Sequence, residues 1–311
     1  MKILVTGGAG FIGSHVVDAM VEAGHEVVVV DDLSSGRPSN LNPAATFYEL
    51  DIRSLQLHEV FEREKPEVVN HHAAQIDVRR SVADPHFDAE VNVLGSLKLL
   101  ELAREFKVRK VIYISSGGAI YGEPDYLPCD EQHPVRPLAP YGASKYAGEL
   151  YLHMYKEVHG LDYTVLRYAN VYGPRQDPHG EAGVVAIFTG QMLAGQPVTI
   201  NGSGDQVRDF IYVAECARAN VQVLTQGSGR VYNLGSGVGT SINEIFANLN
   251  SVTHYDRQPV HGPPKPGETF KIYLDSRLAA TELNWRPEVS LEAGLERTVE
   301  YFRQRENDKV D

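Results

Sequence analysis

The apolar positions of this chain change period in a regular way. Residues 2 to 6, Lys-Ile-Leu-Val-Thr, form a short apolar run of the kind shown by a strand buried on both faces. From Ile12 the spacing becomes helical: Ile12, Val16, Val17, Met20 and Val21 share one face, and Gly24 is the stop. Val27 to Val30 is a second buried-strand run, Thr46 to Leu50 a third, Leu55 to Glu64 a helix, and Val68 to His72 another strand. Asp84-Pro85 opens a long helix that runs to Glu105, with the aspartate as cap and proline at the first position. A strand from Val108 to Ser115 follows. After Pro134, Pro137 and Pro140, a helix carries Tyr141, Lys145, Ala147, Leu150, Tyr151, Met154 and Val158 and ends at Gly160, and Tyr163 to Arg167 is the next strand. Such alternation predicts an α/β fold built as a Rossmann-like doubly wound parallel sheet.

The pattern loosens past residue 171. Residues 175 to 183 are loop-like, Val184 to Ala194 is helical, Val198 to Asn201 is a short strand, and a strand through Gln206 to Val213 leads into a helix to Leu224. Val231 to Leu234 is again strand-like, and Ser241-x-x-Glu244 is a capping box that starts another helix. His261 to Gly267 is a proline-rich loop, and Leu291, Leu295, Val299 and Phe302 form the stripe of a closing helix. The expected division is residues 1–171, with a return segment near 212–237, and a smaller mixed α/β C-terminal domain over 172–311.

The junction of the first strand and helix carries chemistry. It reads Gly7-Gly8-Ala9-Gly10-Phe11-Ile12-Gly13, and glycine there permits a tight turn, close approach of a pyrophosphate to the amides, and close packing of helix on strand. The second strand ends in Asp31, whose carboxylate suits adenosine ribose hydroxyls and repels a 2′-phosphate, so NAD is favoured over NADP. Tyr141 and Lys145 are four apart on one helix, and the lysine projects from the same face as the phenol. A cation held close favours the phenolate, which converts a poor base into one able to take a proton from an alcohol.

Composition narrows the function. With 29 basic and 41 acidic residues the formal charge is −12, which disfavours nucleic acid and anionic membrane as partners. The apolar runs are too short to cross a bilayer, and the N-terminus is a strand, so the expectation is a cytoplasmic protein. Cys129 and Cys216 have no metal-type spacing, and His71 and His72, adjacent in a strand, point to opposite faces. No metal is expected.

The three-and-three glycine spacing together with Tyr141 and Lys145 resembles the extended branch of the short-chain dehydrogenase/reductase superfamily, whose members act mainly on nucleotide sugars. The resemblance covers nearly the whole chain, most tightly the first 175 residues. It implies NAD as cofactor and interconversion of UDP-hexoses at carbon 4 through a 4-keto sugar, with Tyr141 and Lys145 catalytic. It implies a cofactor site of Gly7, Gly10, Phe11, Ile12 and Gly13, with Asp31, Asp32, Leu33, Ser35 and Gly36 about the ribose. Asp51 and Ile52 would flank the adenine. His72, Ala73, Ala74, Gln75, Asn92, Ser115 and Tyr168 would complete the cofactor site. For the sugar nucleotide it implies Gly117, Asn170, Val184, Asn201, Arg208, Lys265 and Glu268. Lys265 stands where an arginine is usual, keeping the charge without the planar fork. A surface ion pair with Asp209 is the other reading of Arg208. The helix pair of Pro85–Glu105 and Tyr141–Val158 resembles the pair that forms a homodimer through a four-helix bundle.

The chemistry departs from the family at Gly117, where a serine or threonine is expected. Either Ser116 or a water takes that role, or the glycine is there for the backbone. Gly117→Ser is expected to be tolerated in the first two cases and damaging in the third. Gly118 and Ala119 lack the carboxylates that dehydratases and decarboxylases of the superfamily carry there. The alternatives are an epimerase of uronic acid or N-acetyl sugars, a nucleotide-sugar dehydratase or decarboxylase, and a non-enzymatic NAD(H) sensor.

Overall fold

The computed structural model describes residues 1–179, 183–264 and 269–307. The chain begins with β1 (Lys2–Thr6), α1 (Phe11–Glu22), β2 (Glu26–Asp31), β3 (Thr46–Glu49), α2 (Leu57–Glu64) and β4 (Val68–His71). It continues through α3 (Val78–Ala83), α4 (Pro85–Ala89), a π-helical turn over Glu90–Gly95, α5 (Ser96–Glu105), β5 (Lys110–Ser116), α6 (Pro140–His159) and β6 (Asp162–Tyr168). Then come β7 (Asn170–Tyr172), α7 (Val184–Leu193), β8 (Thr199–Asn201), β9 (Val207–Tyr212), α8 (Val213–Gln222) and β10 (Arg230–Leu234). The chain closes with β11 (Gly239–Ser241), α9 (Ile242–Thr253), β12 (Val260–Gly262), α10 (Arg277–Glu282) and α11 (Leu291–Asn307).

Among the described residues, seven parallel strands form one sheet in the order β10-β6-β5-β4-β1-β2-β3. The fold is the Rossmann-like α/β architecture. The continuous apolar runs are explained by the two layers they face. Ile3, Val5, Val27 and Val29 belong to a core with Val16, Val17 and Met20 of α1, whereas Leu4, Val28 and Val30 belong to the opposite core with Leu57, Leu99 and Leu152. β10 lies far along the chain yet pairs with β6, and α8 packs on α1. A third core, with Phe188, Ile200, Phe210, Phe246 and Leu295, underlies a smaller part of the molecule with a three-stranded sheet (β11-β9-β7) and a two-stranded one (β12-β8).

Several local signals hold as read. The Ser241 hydroxyl accepts from the Glu244 amide at 3.1 Å while the Glu244 carboxylate accepts from the Ser241 amide at 2.7 Å, a complete capping box. Asp84 caps Pro85-led α4 through the Phe87 amide, and Gly160 ends α6 at φ +71°. Other readings shift. His261 and Gly262, read as loop, pair with Ile200 and Asn201, and Leu55 and Gln56 precede α2 rather than begin it. The helix opened by Asp84 is not uniform, because the π turn interrupts it at Asn92.

Candidate active site

The open carboxyl ends of β1, β2, β4 and β5 collect the predicted residues. Gly7, at φ +71°, closes the turn after β1, and a Cβ on it would lie 2.6 Å from the Ala73 nitrogen. A Cβ on Gly13 would lie 2.1 Å from the Gly7 carbonyl oxygen, so the helix can sit this close to the loop only with glycine there. Gly10 caps α1 without a side-chain partner, and the first turn holds no acid, which leaves the amides around Phe11 and Ile12 with the positive helix end. At the end of β2 the Asp31 carboxylate accepts from the Ala9 and Leu33 amides, both at 2.9 Å, and thereby fixes the loop of Leu33, Ser35 and Gly36; Asp32 binds Ser34 instead. Burial raises the Asp31 carboxyl above the usual range. Asp51 is gripped by Arg53 through its amide and its guanidinium, and Ile52 packs into the space beside Gly95.

The segment after β4 is held by a buried polar cluster. Asn92, in the π turn, accepts from the Gln75 amide at 2.8 Å and donates to the Gln75 carbonyl at 2.9 Å, to Asp88 and to Ser144. Gln75 binds Asp88 and the Asp77 carbonyl in turn. The Gln75 backbone is thus fixed by the π turn and the Ala73 amide by Thr6, with Asp88 of α4 and Ser144 of α6 holding Asn92. His71 lies between Thr6 at 2.7 Å and Ser96 at 2.9 Å; since the Ser96 hydroxyl donates to the Asn92 carbonyl, His71 Nε2 is the donor and Nδ1 the acceptor. His72 Nε2 is buried without a partner, and burial beside the Lys145 charge lowers this histidine to about 3. Among the described residues, no three His, Cys, Asp or Glu side chains could hold a metal ion.

Two glycines bring the chemistry together. A Cβ on Gly142 would meet the Ala119 carbonyl oxygen at 2.4 Å, so the 117–122 loop rests on the first turn of α6 only because that position is bare. The Ser116 hydroxyl then stands beside the Tyr141 phenol and favours its ionised form. The expectations at this point need correction. Gly117 does not face the tyrosine: its amide donates to the Tyr168 carbonyl at 2.8 Å, and a Cβ on it would lie 2.5 Å from Leu274 Cδ1. The glycine is packed against the Leu274 side chain, and the hydroxyl nearest the phenol belongs to Ser116. Tyr141 is also not depressed in the ligand-free chain. Burial pushes its phenol up to about 12, and the nearby Ser116 hydroxyl pulls only partly against it. Lys145, one turn on, is pulled down to about 8 by its own burial, against the Glu149 and Asp88 carboxylates.

Two cofactor candidates face elsewhere with their side chains. The Ser115 hydroxyl donates to Glu149 at 2.5 Å, and the Tyr168 ring lies in the core with its hydroxyl on Asn220. Only their backbones border the site. Asn170 opens β7 and borders a narrow crevice with Gly117, Gly118, Asp209 and Leu274. A Cβ on Gly118 would lie 3.6 Å from Asn170 Oδ1 and 4.0 Å from Ser116 Oγ, so any side chain there would enter the space between them. Arg208 does not pair with Asp209. Asp209 is buried and accepts from Ser236, Gly237 and Leu274, while the Arg208 guanidinium reaches the Val207 and Phe270 carbonyls. Val184 begins α7 and Asn201 ends β8, both half-buried. Lys265 and Glu268 lie outside the described residues.

A model of the NAD dependent epimerase/dehydratase family matches residues 3–235. The chain belongs to that family. Within it, the chain is 47% identical over 309 residues to a UDP-glucose 4-epimerase of Mycolicibacterium smegmatis, covering 97% of this chain and 99% of the relative. Its fold is similar to that of a Thermotoga maritima UDP-glucose 4-epimerase solved with UDP-glucose, with TM-score 0.97, 51% identity, and 98% and 99% of the two chains covered. It is also similar to a Thermus thermophilus UDP-glucose 4-epimerase solved with NAD, with TM-score 0.92, 43% identity, and 97% and 99% covered. For this epimerase/dehydratase chain, sequence reasoning missed the Asp88 and Ser144 partners of Asn92. Polar residues four apart on a buried helix face were the available signal. It also missed the ties over the glycine loop: Arg37 to Asp177 at 2.7 Å, Arg175 to Asp18 at 2.7 Å, and His15 to the Pro174 carbonyl at 2.9 Å. These join residues far apart in sequence and leave no local pattern.

Proposed function

We propose that the protein is a UDP-hexose 4-epimerase that interconverts UDP-glucose and UDP-galactose with NAD, a cytoplasmic isomerase. The observation that carries this reading is the Ser116 hydroxyl beside the Tyr141 phenol, one helical turn from Lys145, facing a space that Gly118 leaves free of any carboxylate. The names of the similar proteins support it.

The residues present fit a dinucleotide. The glycine loop leaves no room for a Cβ at Gly7 or Gly13, and the uncapped α1 start suits a pyrophosphate. Asp31 stands where a ribose would be met, with Asp51 and Ile52 toward the base. Lys145 and the backbone of residues 73–75 are placed for the nicotinamide half. When bound, NAD supplies the acceptor and returning donor of the hydride at sugar C4. Tyr141 takes the proton of the 4-hydroxyl and later returns it. Ser116 relays or orients that proton, and Lys145 is the cation that favours the phenolate against the cost of burial. Asn170, Val184, Asn201 and Arg208 hold the UDP part, and Arg208 must turn from its carbonyl partners to present its fork to a diphosphate. Epimerisation at one carbon is close to thermoneutral, so the binding residues need only retain the keto sugar while it turns. A dehydratase would place an acid at residue 118 or 119, and this chain has glycine and alanine.

The exposed Leu150, Met154 and Val158, four apart on α6, and Leu94 on the adjoining helix support a homodimer built on these two helices. The test of function is incubation with UDP-galactose followed by proton NMR. UDP-glucose is the expected product, and Tyr141→Phe lowers its rate by about 10²–10⁴ while bound NAD is kept. A 4-keto-6-deoxy product, or no product from NAD-loaded protein, overturns the assignment.

A further inference from the structure

Lys145 is buried and carries a charge, yet the described residues give its ammonium no hydrogen-bond acceptor. The groups that face it come from four elements. Glu149 and Tyr141 lie on its own helix, Asp88 on α4, His71 and His72 at the end of β4, and Tyr113 on β5. Each carboxylate is committed elsewhere: Glu149 to Arg167 and Ser115, Asp88 to Gln75 and Asn92. Burial keeps both histidines neutral. Tyr113 is in direct contact, with the ammonium 4.5 Å from its ring centroid. The same tyrosine donates its hydroxyl to the Lys145 carbonyl at 3.3 Å, so one ring holds both ends of the lysine. The approach is built into α6. A Cβ on Gly148 would lie 2.3 Å from the Tyr113 hydroxyl oxygen, and only glycine admits the ring there.

We propose that Tyr113 is a positioning residue for the reaction, whose ring face holds the Lys145 ammonium charged and in place while leaving its N–H groups free for cofactor and phenol. The inference rests on the epimerase reading for the role of Lys145. Its physical sense lies in the kind of partner. A carboxylate would stabilise the charge by accepting N–H bonds, and a lysine has three to give. A π face stabilises the same charge through its quadrupole and accepts none, and desolvation strengthens that attraction. Tyr113 sits three residues before Ser116 on the same strand, so the two groups on α6 that matter, Tyr141 and Lys145, are both indexed to β5.

The experiment uses the NAD-loaded enzyme and compares Tyr113→Phe, Tyr113→Leu and Tyr113→Met. Loss of the ring lowers the pH at which Lys145 gives up its proton, so the alkaline limb of the kcat profile in Leu and Met moves to lower pH by about one unit. Turnover at pH 8 then falls about fivefold and KM is unchanged. Phe keeps the ring and keeps the limb where it is. The Met variant, nearly as long as tyrosine, stands in if Leu folds poorly. Titration of ε-¹³C-labelled lysine by NMR, with Lys145 assigned by Lys145→Met, reads the same shift without any substrate, so a failure here is distinct from a failure of the epimerase assignment. An unmoved Lys145 titration in both Leu and Met overturns the proposal, as does a Phe variant as impaired as Leu, which would give the role to the hydroxyl.

Discussion

Two buried cations, Lys145 on α6 and Arg167 on β6, have opposite treatment. Arg167 on β6 meets Glu149 at 2.6 Å, and its remaining N–H groups reach the Tyr121 hydroxyl at 2.8 Å, which in turn donates to Asn233. Lys145, one turn before Glu149, is buried as deeply and has an aromatic ring against its ammonium instead of a carboxylate. The pairing raises the Arg167 pKa above its ordinary value, whereas Lys145 falls to about 8. Equal burial therefore has opposite results, and the partner decides. In this pair the arginine is saturated with acceptors, while the lysine keeps N–H groups to give.

The comparison can be broken most sharply by removing each charge. Lys145→Met is expected to lower turnover by about 10² or more, measured as steady-state epimerisation at matched NAD content. The fold should survive it. Arg167→Met is expected to do the reverse: urea denaturation should show a loss of about 3–5 kcal/mol, because Glu149 is left buried and uncompensated. Comparable stability losses in the two variants would erase the distinction.

The pH dependence sharpens it. Lys145 has a folded pKa of about 8, below the 10.5 of an ordinary lysine. The unfolded chain therefore binds the extra proton between those values. The penalty on the folded state is full below pH 8 and is relieved as pH rises toward 10.5. Ligand-free Lys145→Met should be more stable than the parent at pH 7, by up to about 3 kcal/mol, and the gap should close near pH 10.5. A gap that widens with pH would contradict the assigned shift.

Gly117 tests whether the neighbouring strand end tolerates change as the charges do. Gly117→Ser is expected to cost about 1–3 kcal/mol by overpacking, read as a lower thermal midpoint, with Leu274→Ala relieving part of it. Normal stability would mean that Leu274 yields freely. The smallest effect belongs to the exposed tie of Arg37 to Asp177, worth about 0–1 kcal/mol. Arg37→Ala should speed release of bound NAD about fivefold at most, and the difference from the parent should vanish at 1 M salt. A difference that persists there would mean that Arg37 acts other than through its charge.

What the sequence made legible follows from locality. The glycine loop, Asp31, the capping box at Ser241 and the Tyr141–Lys145 spacing are each written within one element and its neighbour, where period and sterics leave few solutions. The direction of the Ser116 side chain was not legible, because β5 ends at Ser116 and the chain then turns. Beyond a strand end, alternation no longer says which way a side chain points. Nor could counting reveal that Gly117 is reserved for Leu274, which is 157 positions away. The spacing of Tyr141 and Lys145 suggested a depressed phenol, but burial, a property of the assembled site, outweighs it in the ligand-free chain.

The π turn at Glu90–Gly95 has a geometric consequence for the whole helix. Asp88, Asn92 and Ser96 are spaced by four, and in an ordinary α-helix each such step drifts about 40° around the axis. The wider turn slows that drift, so three polar residues stay aligned like marks on a ruler and serve Gln75, Ser144 and His71 from one edge. Phase, not composition, is what the inserted residue supplies. Deleting one residue between 90 and 95 would rotate all that follows by about 100°, turning Leu99 and Leu100 out of the core and taking Ser96 away from His71.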